Sequence, residues 1–214
     1  MSKESVTIYD ENLKEMAVLS RDEAHQTGGW HRSIHCWIIR PIEQGYVLFQ
    51  KRGRDKKLFP NFLDITAAGH YKSGESAREG TREILEELRV DVKFEDLIPL
   101  GIKIDVAKVG DVINREFCDV FILIRKESPE QYNLDPSEVE GLVQIKINDG
   151  LKLFGGEVDK VTAEGIEWSK DTQKWRKIKI EVSSTDFIPR IDPYYYKIFI
   201  MAKLVLAGEK YISI

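Results

Sequence analysis

From Trp30 the chain reads HRSIHCWIIR, then P-I-E-Q-G, then YVLFQKR. Two apolar runs around a short polar break predict a hairpin with its turn centred on Gln44 and Gly45. Ser5 to Tyr9 predicts a short strand, and the polar stretch that follows, to about Gly29, predicts a turn region containing His25. Pro60 and Asn61 break the chain before FLDITAAG, which predicts one strand running into Gly69, and IPLGIKIDVAK and NREFCDVFILIRK predict two more. After a polar interruption from Pro129 to Pro136, the second half of Ser137 to Asp149 alternates as a strand does, and Gly155 and Gly156 mark a loop. Val158 to Val182 alternates around Lys170 and Asp171, predicting an extra hairpin with Trp168 and Trp175 as cross-strand partners. Tyr194 to Leu206, YYYKIFIMAKLVL, predicts a terminal helix entered through Asp192 as N-cap and Pro193 as first residue.

Strands mixed with a helix after Gly69 and a terminal helix predict an α/β fold, a sandwich around a mixed β-sheet. With 214 residues, 42% of them hydrophobic, the chain can fill one core, and a single domain is expected. There is no internal repeat, coiled coil or low-complexity tract. A net charge of -4 argues against a general nucleic-acid or membrane-surface binder, because both rely on Lys and Arg to neutralise phosphates. Cys36 and Cys118 sit in apolar stretches without paired spacing and read as buried free thiols. The polar start, MSKESVTIYDENLKE, lacks the apolar core of a signal peptide, and no apolar run reaches membrane-span length, so a cytoplasmic location is expected. Tyr194, Tyr195 and Tyr196 face either the core or a partner subunit in a homodimer.

The chemistry concentrates in GHYKSGESAREGTREILEELRV, Gly69 to Val90. If Ser76 to Leu88 is helical, Glu83, Glu86 and Glu87 lie at i, i+3 and i+4 and project from one face. Like charges so spaced oppose one another, and hard oxygen ligands suit Mg²⁺ or Mn²⁺. Taken alone, three such carboxylates also fit a solvated, charge-rich helix surface. The context decides: Gly69 and Gly74 at a turn, Glu75 and Ser76 before the helix, and Arg82 directly before Glu83.

Together these residues resemble the Nudix box, G-x5-E-x7-R-E-U-x-E-E-x-G-U, with Gly69, Glu75, Arg82, Glu83, Ile84, Glu86, Glu87 and Val90 in order. The chain departs from the pattern twice. Only Ser76 to Thr81 separate Glu75 from Arg82, one residue fewer than the pattern asks, and Arg89 replaces its last glycine. One residue rotates a helical position by about 100°, which makes Glu75 a weaker candidate than Glu83, Glu86 or Glu87. The resemblance implies a Nudix-like α/β/α sandwich, with a core at about 30–149, a hairpin at about 155–185 and a terminal helix at about 193–207. It also implies a hydrolase in which Glu83, Glu86 and Glu87, with the Gly69 carbonyl, hold the metal and Arg82 orients a carboxylate. The base that takes the proton from water is Glu86 or Glu138, with Glu140 as the competing candidate.

Upstream, WHRSIHCWI, LFQKRGRDKKLFPNFLD and AAGHYKSGES resemble the Nudix branch that includes isopentenyl diphosphate isomerase. That resemblance implies metal-ligand roles for His25, His31, His70 and Glu116, and diphosphate-binding roles for Arg52 and Lys56, while Lys51 and Lys57 read as a solvated basic loop. The isomerase needs a cysteine where this chain has Ala68, and one of its acidic ligands falls on Asn114. Moving protons on carbon demands a positioned acid and base, which alanine cannot supply. The expectation is therefore a Mg²⁺- or Mn²⁺-dependent hydrolase of a small nucleotide-type or isoprenoid diphosphate, with isomerisation or non-catalytic diphosphate binding as the alternatives.

Overall fold

The computed structural model describes residues 4–56 and 58–214, so Lys57 and the first three residues of the polar amino terminus lie outside the described residues. In chain order the elements are β1 Ser5–Tyr9, β2 Glu15–Ser20, α1 Arg21–Thr27, β3 His31–Arg40, β4 Tyr46–Arg52, β5 Leu63–Asp64, β6 Ala67–His70 and α2 Arg82–Leu88. There follow β7 Ile98–Val109, β8 Val112–Ile124, β9 Val139–Lys146, α3 Ile147–Phe154, β10 Val161–Ser169, β11 Lys174–Val182 and α4 Tyr194–Leu206. The main sheet runs β11-β10-β9-β4-β3-β8-β7, with β5 on β4 and β6 on β3. It is mixed: β3 and β8 are parallel and the other pairs antiparallel. One face packs Trp37, Phe49, Ile145 and Val143 against Tyr195, Ile198 and Phe199 of α4. The other packs Ile34, Ile38 and Leu48 against Ile84 and Leu88 of α2. Helix on sheet on helix is the α/β/α sandwich.

A split in the sheet makes room for the site. β3 and β4 pair only at Ile39 with Val47 and Arg40 with Tyr46, beside their turn, and then splay apart. FLDITAAG is therefore not one strand: Leu63–Asp64 pairs with β4 and Ala67–His70 with β3. Thr66 spans the gap, its hydroxyl donating to the Leu48 carbonyl and accepting the Ile38 N–H at 3.0 Å, so backbone groups left by the split stay satisfied.

Other expectations change in the fold. The polar stretch before Gly29 contains β2 and α1; β2 is largely exposed and shows no alternation, and α1 starts on a Ser20–Glu23 capping box. Ser76 to Leu88 is not one helix: a 3₁₀ turn at Glu79–Thr81 leads into α2 at Arg82. Ser76 N–H donates to Glu79 Oε2 at 3.0 Å and Gly80 N–H to the Ser76 carbonyl at 3.0 Å, so the missing residue is taken up in a tighter turn. The stretch to Asp149 passes from β9, buried along almost its whole length, into α3. The extra hairpin forms, with Trp168 opposite Trp175, and it extends the main sheet through β9. Asp192 does not cap α4 with its side chain; it pairs with Lys197 at 3.1 Å and Lys103 at 3.3 Å. Tyr194 and Tyr195 are buried in the core. Both cysteines are free and buried, and among the described residues no helix is long and apolar enough to cross a membrane.

Candidate active site

A cavity of about 840 Å³ gathers residues from α1, β3, β4, β6, α2, β7 and β8, including Glu83, Glu86, Glu87, His25, His70, Arg52, Lys56, Glu116 and Glu138. The volume suits a small-molecule ligand.

α2 supplies its acidic side. Arg82 donates to Glu75 through Nε at 2.8 Å and Nη2 at 3.0 Å, to Glu83 at 2.5 Å and to the His70 carbonyl at 2.9 Å, with Glu86 at 3.3 Å. Glu75, the weaker candidate on sequence, is thus the bidentate partner of Arg82, because the 3₁₀ turn carries it back within reach. The Glu83 carboxyl lies directly over Gly69, where a Cβ would overlap it. Glycine at this position follows from that close approach. Glu87 is half-buried and accepts from Ala68 N–H at 3.1 Å and Gln50 Nε2 at 3.0 Å. Burial and the nearby Glu83 charge raise its pKa to about 8 despite those bonds. Glu83 is also raised, by burial, against the pull of Arg82. Glu86 is the exposed member. Arg82 is one cation among several carboxylates, so the patch keeps an excess of negative charge, and an ion with hard-oxygen preference fits it.

Sheet register assembles the second cluster. The parallel pairing of β3 and β8 sets His31 opposite Glu116, and the antiparallel pairing of β3 and β6 sets Ser33 opposite His70. α1 brings in His25, and the rings of His25, His31 and His70 lie 4.9 to 5.3 Å apart between centroids. Glu116 accepts from Ser33 Oγ at 2.8 Å and lies 3.0 Å from His70 Nε2. Burial opposes its charge, but the histidines hold its carboxyl well below the usual range. Burial lowers His70, and burial followed by His70 and His31 lowers His25 to about 4. His31 Nδ1 lies 2.8 Å from the Gly29 carbonyl, which can only accept, so in the neutral ring the proton sits on Nδ1 and the lone pair on Nε2. His31 Nε2, His25 Nδ1 and Asn114 Oδ1 are buried without a hydrogen-bond partner among the described residues. Buried polar atoms rarely stay unpaired, and two imidazole nitrogens beside a carboxylate fit a divalent ion.

The basic and loop residues divide. Arg52 lines the cavity and bonds Asp64 Oδ2 at 3.3 Å, and Lys56 lines it with no ion pair among the described residues. Lys51 is not a free solvated charge, since Glu167 of β10 pairs with it. Glu138 is exposed on the cavity wall, whereas Glu140 is buried and held by Arg54 Nε at 3.0 and 3.1 Å, away from the cavity. Of the two, only Glu138 lines the cavity. Sequence reading passed over Gln50, although it lies two residues before Arg52 on β4 and so shares its face. It also passed over Asp64, Asp105 and Arg190, which meet across long sequence separations and leave no local signal.

No protein-family model matches the chain. An uncharacterised Nudix hydrolase of Clostridium acetobutylicum is 38% identical over 196 residues, covering 91% of this chain and 95% of its own length. The isopentenyl-diphosphate Delta-isomerase of Salmonella arizonae is 28% identical over 126 residues, 56% of this chain and 66% of its own. A crystal structure of a Deinococcus radiodurans protein superposes with a TM-score of 0.54 at 20% identity, covering 72% of this chain and 90% of that one, which is a likeness of fold.

Proposed function

The chain belongs to the Nudix hydrolase family, and from that premise we propose that it is a metal-dependent hydrolase cleaving a diphosphate linkage in a small nucleotide-type or isoprenoid diphosphate. The observation that carries this reading is the convergence of Glu83, Glu86 and Glu87 with Gly69 and Arg82 on one wall of the cavity that also holds Arg52 and Lys56. Glu83, Glu86, Glu87 and the Gly69 carbonyl would hold Mg²⁺ or Mn²⁺. His25, His31, His70 and Glu116, with the unpartnered Asn114 oxygen, would hold a second divalent ion. Bound there, such ions neutralise diphosphate oxygens and acidify water.

The chain's own groups do the rest. Arg82 fixes Glu83 and Glu75 in place, so the carboxylates need not reorganise during the reaction. Arg52 and Lys56 hold the diphosphate by charge-assisted bonds. Exposed Glu86 or Glu138 takes the proton from the attacking water. The isomerase reading draws on the histidine cluster and the Salmonella relative. It is opposed by Ala68, whose methyl group can neither give nor take a proton and whose N–H is already bonded to Glu87.

The test is phosphate or pyrophosphate release with Mg²⁺ or Mn²⁺ over nucleotide sugars, dinucleotides, coenzymes and isoprenoid diphosphates, run beside Glu86→Gln. Release that disappears in the folded variant is expected. Proton exchange at substrate carbon without release points to isomerisation, and binding without release to a non-catalytic module.

A further inference from the structure

Part of the cavity wall comes from outside the region that resembles the family core. Ile188, Pro189, Arg190 and Ile191, between β11 and α4, all line it. The hairpin returns the chain to the sheet, where Ile188 N–H donates to the Leu63 carbonyl at 3.2 Å and the Tyr195 hydroxyl donates to the Ile188 carbonyl at 3.1 Å. Arg190 is thereby delivered between β5 and β7. Its Nη2 donates to Asp64 Oδ1 at 2.9 Å and its Nη1 donates to Asp105. The second oxygen of Asp64 accepts from Arg52 Nη1 at 3.3 Å, and the other oxygen of Asp105 accepts from Lys103 at 2.7 Å.

Three cations, Arg52, Lys103 and Arg190, thus share two buried carboxylates, Asp64 and Asp105. Adding Asp192 and Lys197 leaves the same surplus of one positive charge. The part of that surplus carried by Arg52, half-buried on the cavity wall, is open to pairing by an anion in the cavity. Arg52 is the member placed to meet one. Its Nε and Nη2 donate to the carbonyls of Phe59 and Leu58 at 3.3 and 3.1 Å, and its Nη1 donates to Asp64. That leaves two of the five guanidinium N–H groups uncommitted. Were Asp64 to face Arg52 alone, its full charge would cancel that of the arginine. With Arg190 on its other oxygen, Asp64 orients Arg52 while the network's excess charge persists.

We propose that Arg190 is a positioning residue that acts through Asp64 to present Arg52 to the substrate diphosphate. The proposal rests on the reading of Arg52 as a diphosphate ligand, and it gives the segment between the hairpin and α4 a role in the site.

The test is a double-mutant cycle read by calorimetric binding of inorganic pyrophosphate to the full chain, with melting curves as the folding control. Arg52→Gln and Arg190→Gln are each expected to weaken binding about tenfold, and the double variant no more than about twofold beyond either alone. In turnover, Arg190→Gln raises KM and leaves kcat within about twofold, and Arg190→Lys recovers part of the loss. Because Arg190→Gln leaves Asp64 to Arg52 alone and Asp105 to Lys103 alone, Arg190→Gln with Asp105→Asn restores the network's single positive surplus. Independent, multiplying losses in the double variant overturn the proposal, as does wild-type binding by Arg190→Gln. Wild-type binding by Arg52→Gln removes the diphosphate reading of Arg52 and this proposal with it. Weakened Arg52→Gln beside unchanged Arg190→Gln removes this proposal alone.

Discussion

At α2, Glu83 and Glu86 share one Arg82 that is already engaged by Glu75, and Glu87 beside them has no cationic partner among the described residues, whereas at the meeting of β3, β6 and β8 three imidazoles surround one carboxylate, Glu116. The first patch carries excess negative charge, and its half-buried member Glu87 is pushed towards the protonated form. The second is nearly balanced: His25 and His70 are pushed towards neutrality and the Glu116 carboxylate towards charge. Both face the same cavity, yet they ask for different ligands. The helix patch lacks a hard cation, while the histidine patch lacks only an acceptor for imidazole lone pairs, the preference of a softer divalent ion. The proposed hydrolytic chemistry is assigned to the patch whose charge is unmet.

The contrast can be pressed at several points. Gly69→Ala pushes a methyl group into the Glu83 carboxyl, and displacement of about an ångström at a reacting centre costs on the order of 10²-fold in rate. Steady-state kinetics should show that loss in kcat with the histidine cluster intact. An unchanged kcat would mean that Glu83 need not sit against Gly69.

The two ends also respond to pH in opposite directions. Glu87 titrates near 8 when folded against its usual 4.5, so the metal-free protein loses stability as pH rises from about 4.5 through 8. Metal must displace that proton, so Mg²⁺ affinity should rise with pH up to about 8. His25, depressed from 6.5 to about 4, does the reverse: stability present above 6.5 is lost as pH falls towards 4. Melting curves and Mg²⁺ titrations from pH 4 to 9 check both, and Glu87→Gln should flatten only the alkaline limb.

The smallest effect concerns the end of α2. Arg89 holds φ 56, a left-handed conformation that disfavours side chains, and its N–H caps the Leu85 carbonyl at 3.0 Å. Arg89→Gly should raise stability by roughly 0.5–1 kcal/mol, less what the exposed Asp135 pair contributes, with no change in turnover.

Much of this was legible in the sequence, and the reason is local spacing. Glu83, Glu86 and Glu87 are read from a helix period, Trp168 opposite Trp175 from an alternating pattern, and β3 with β4 from two apolar runs around a polar break. Other features have no local signature. β2 is exposed on both faces from Glu15 to Val18 and has one short partner, so it shows no alternation. α3 follows β9 without a break, since Ile147 continues the strand's apolar pattern and only tertiary packing turns it into a helix. The reach of Arg82 back to Glu75 depends on a 3₁₀ turn, and the Arg190 network joins residues 85 and 126 positions apart. Spacing along the chain cannot show either.

The most direct measurement is the rate of phosphate release by Glu86→Gln beside His31→Gln, both with Mg²⁺ on the best substrate of the wild-type protein. A fall of about 10²–10⁴-fold is expected for Glu86→Gln and of no more than about 10–100-fold for His31→Gln. The reverse order, with the glutamate variant near wild type, would place the chemistry at the histidines and contradict its assignment to α2.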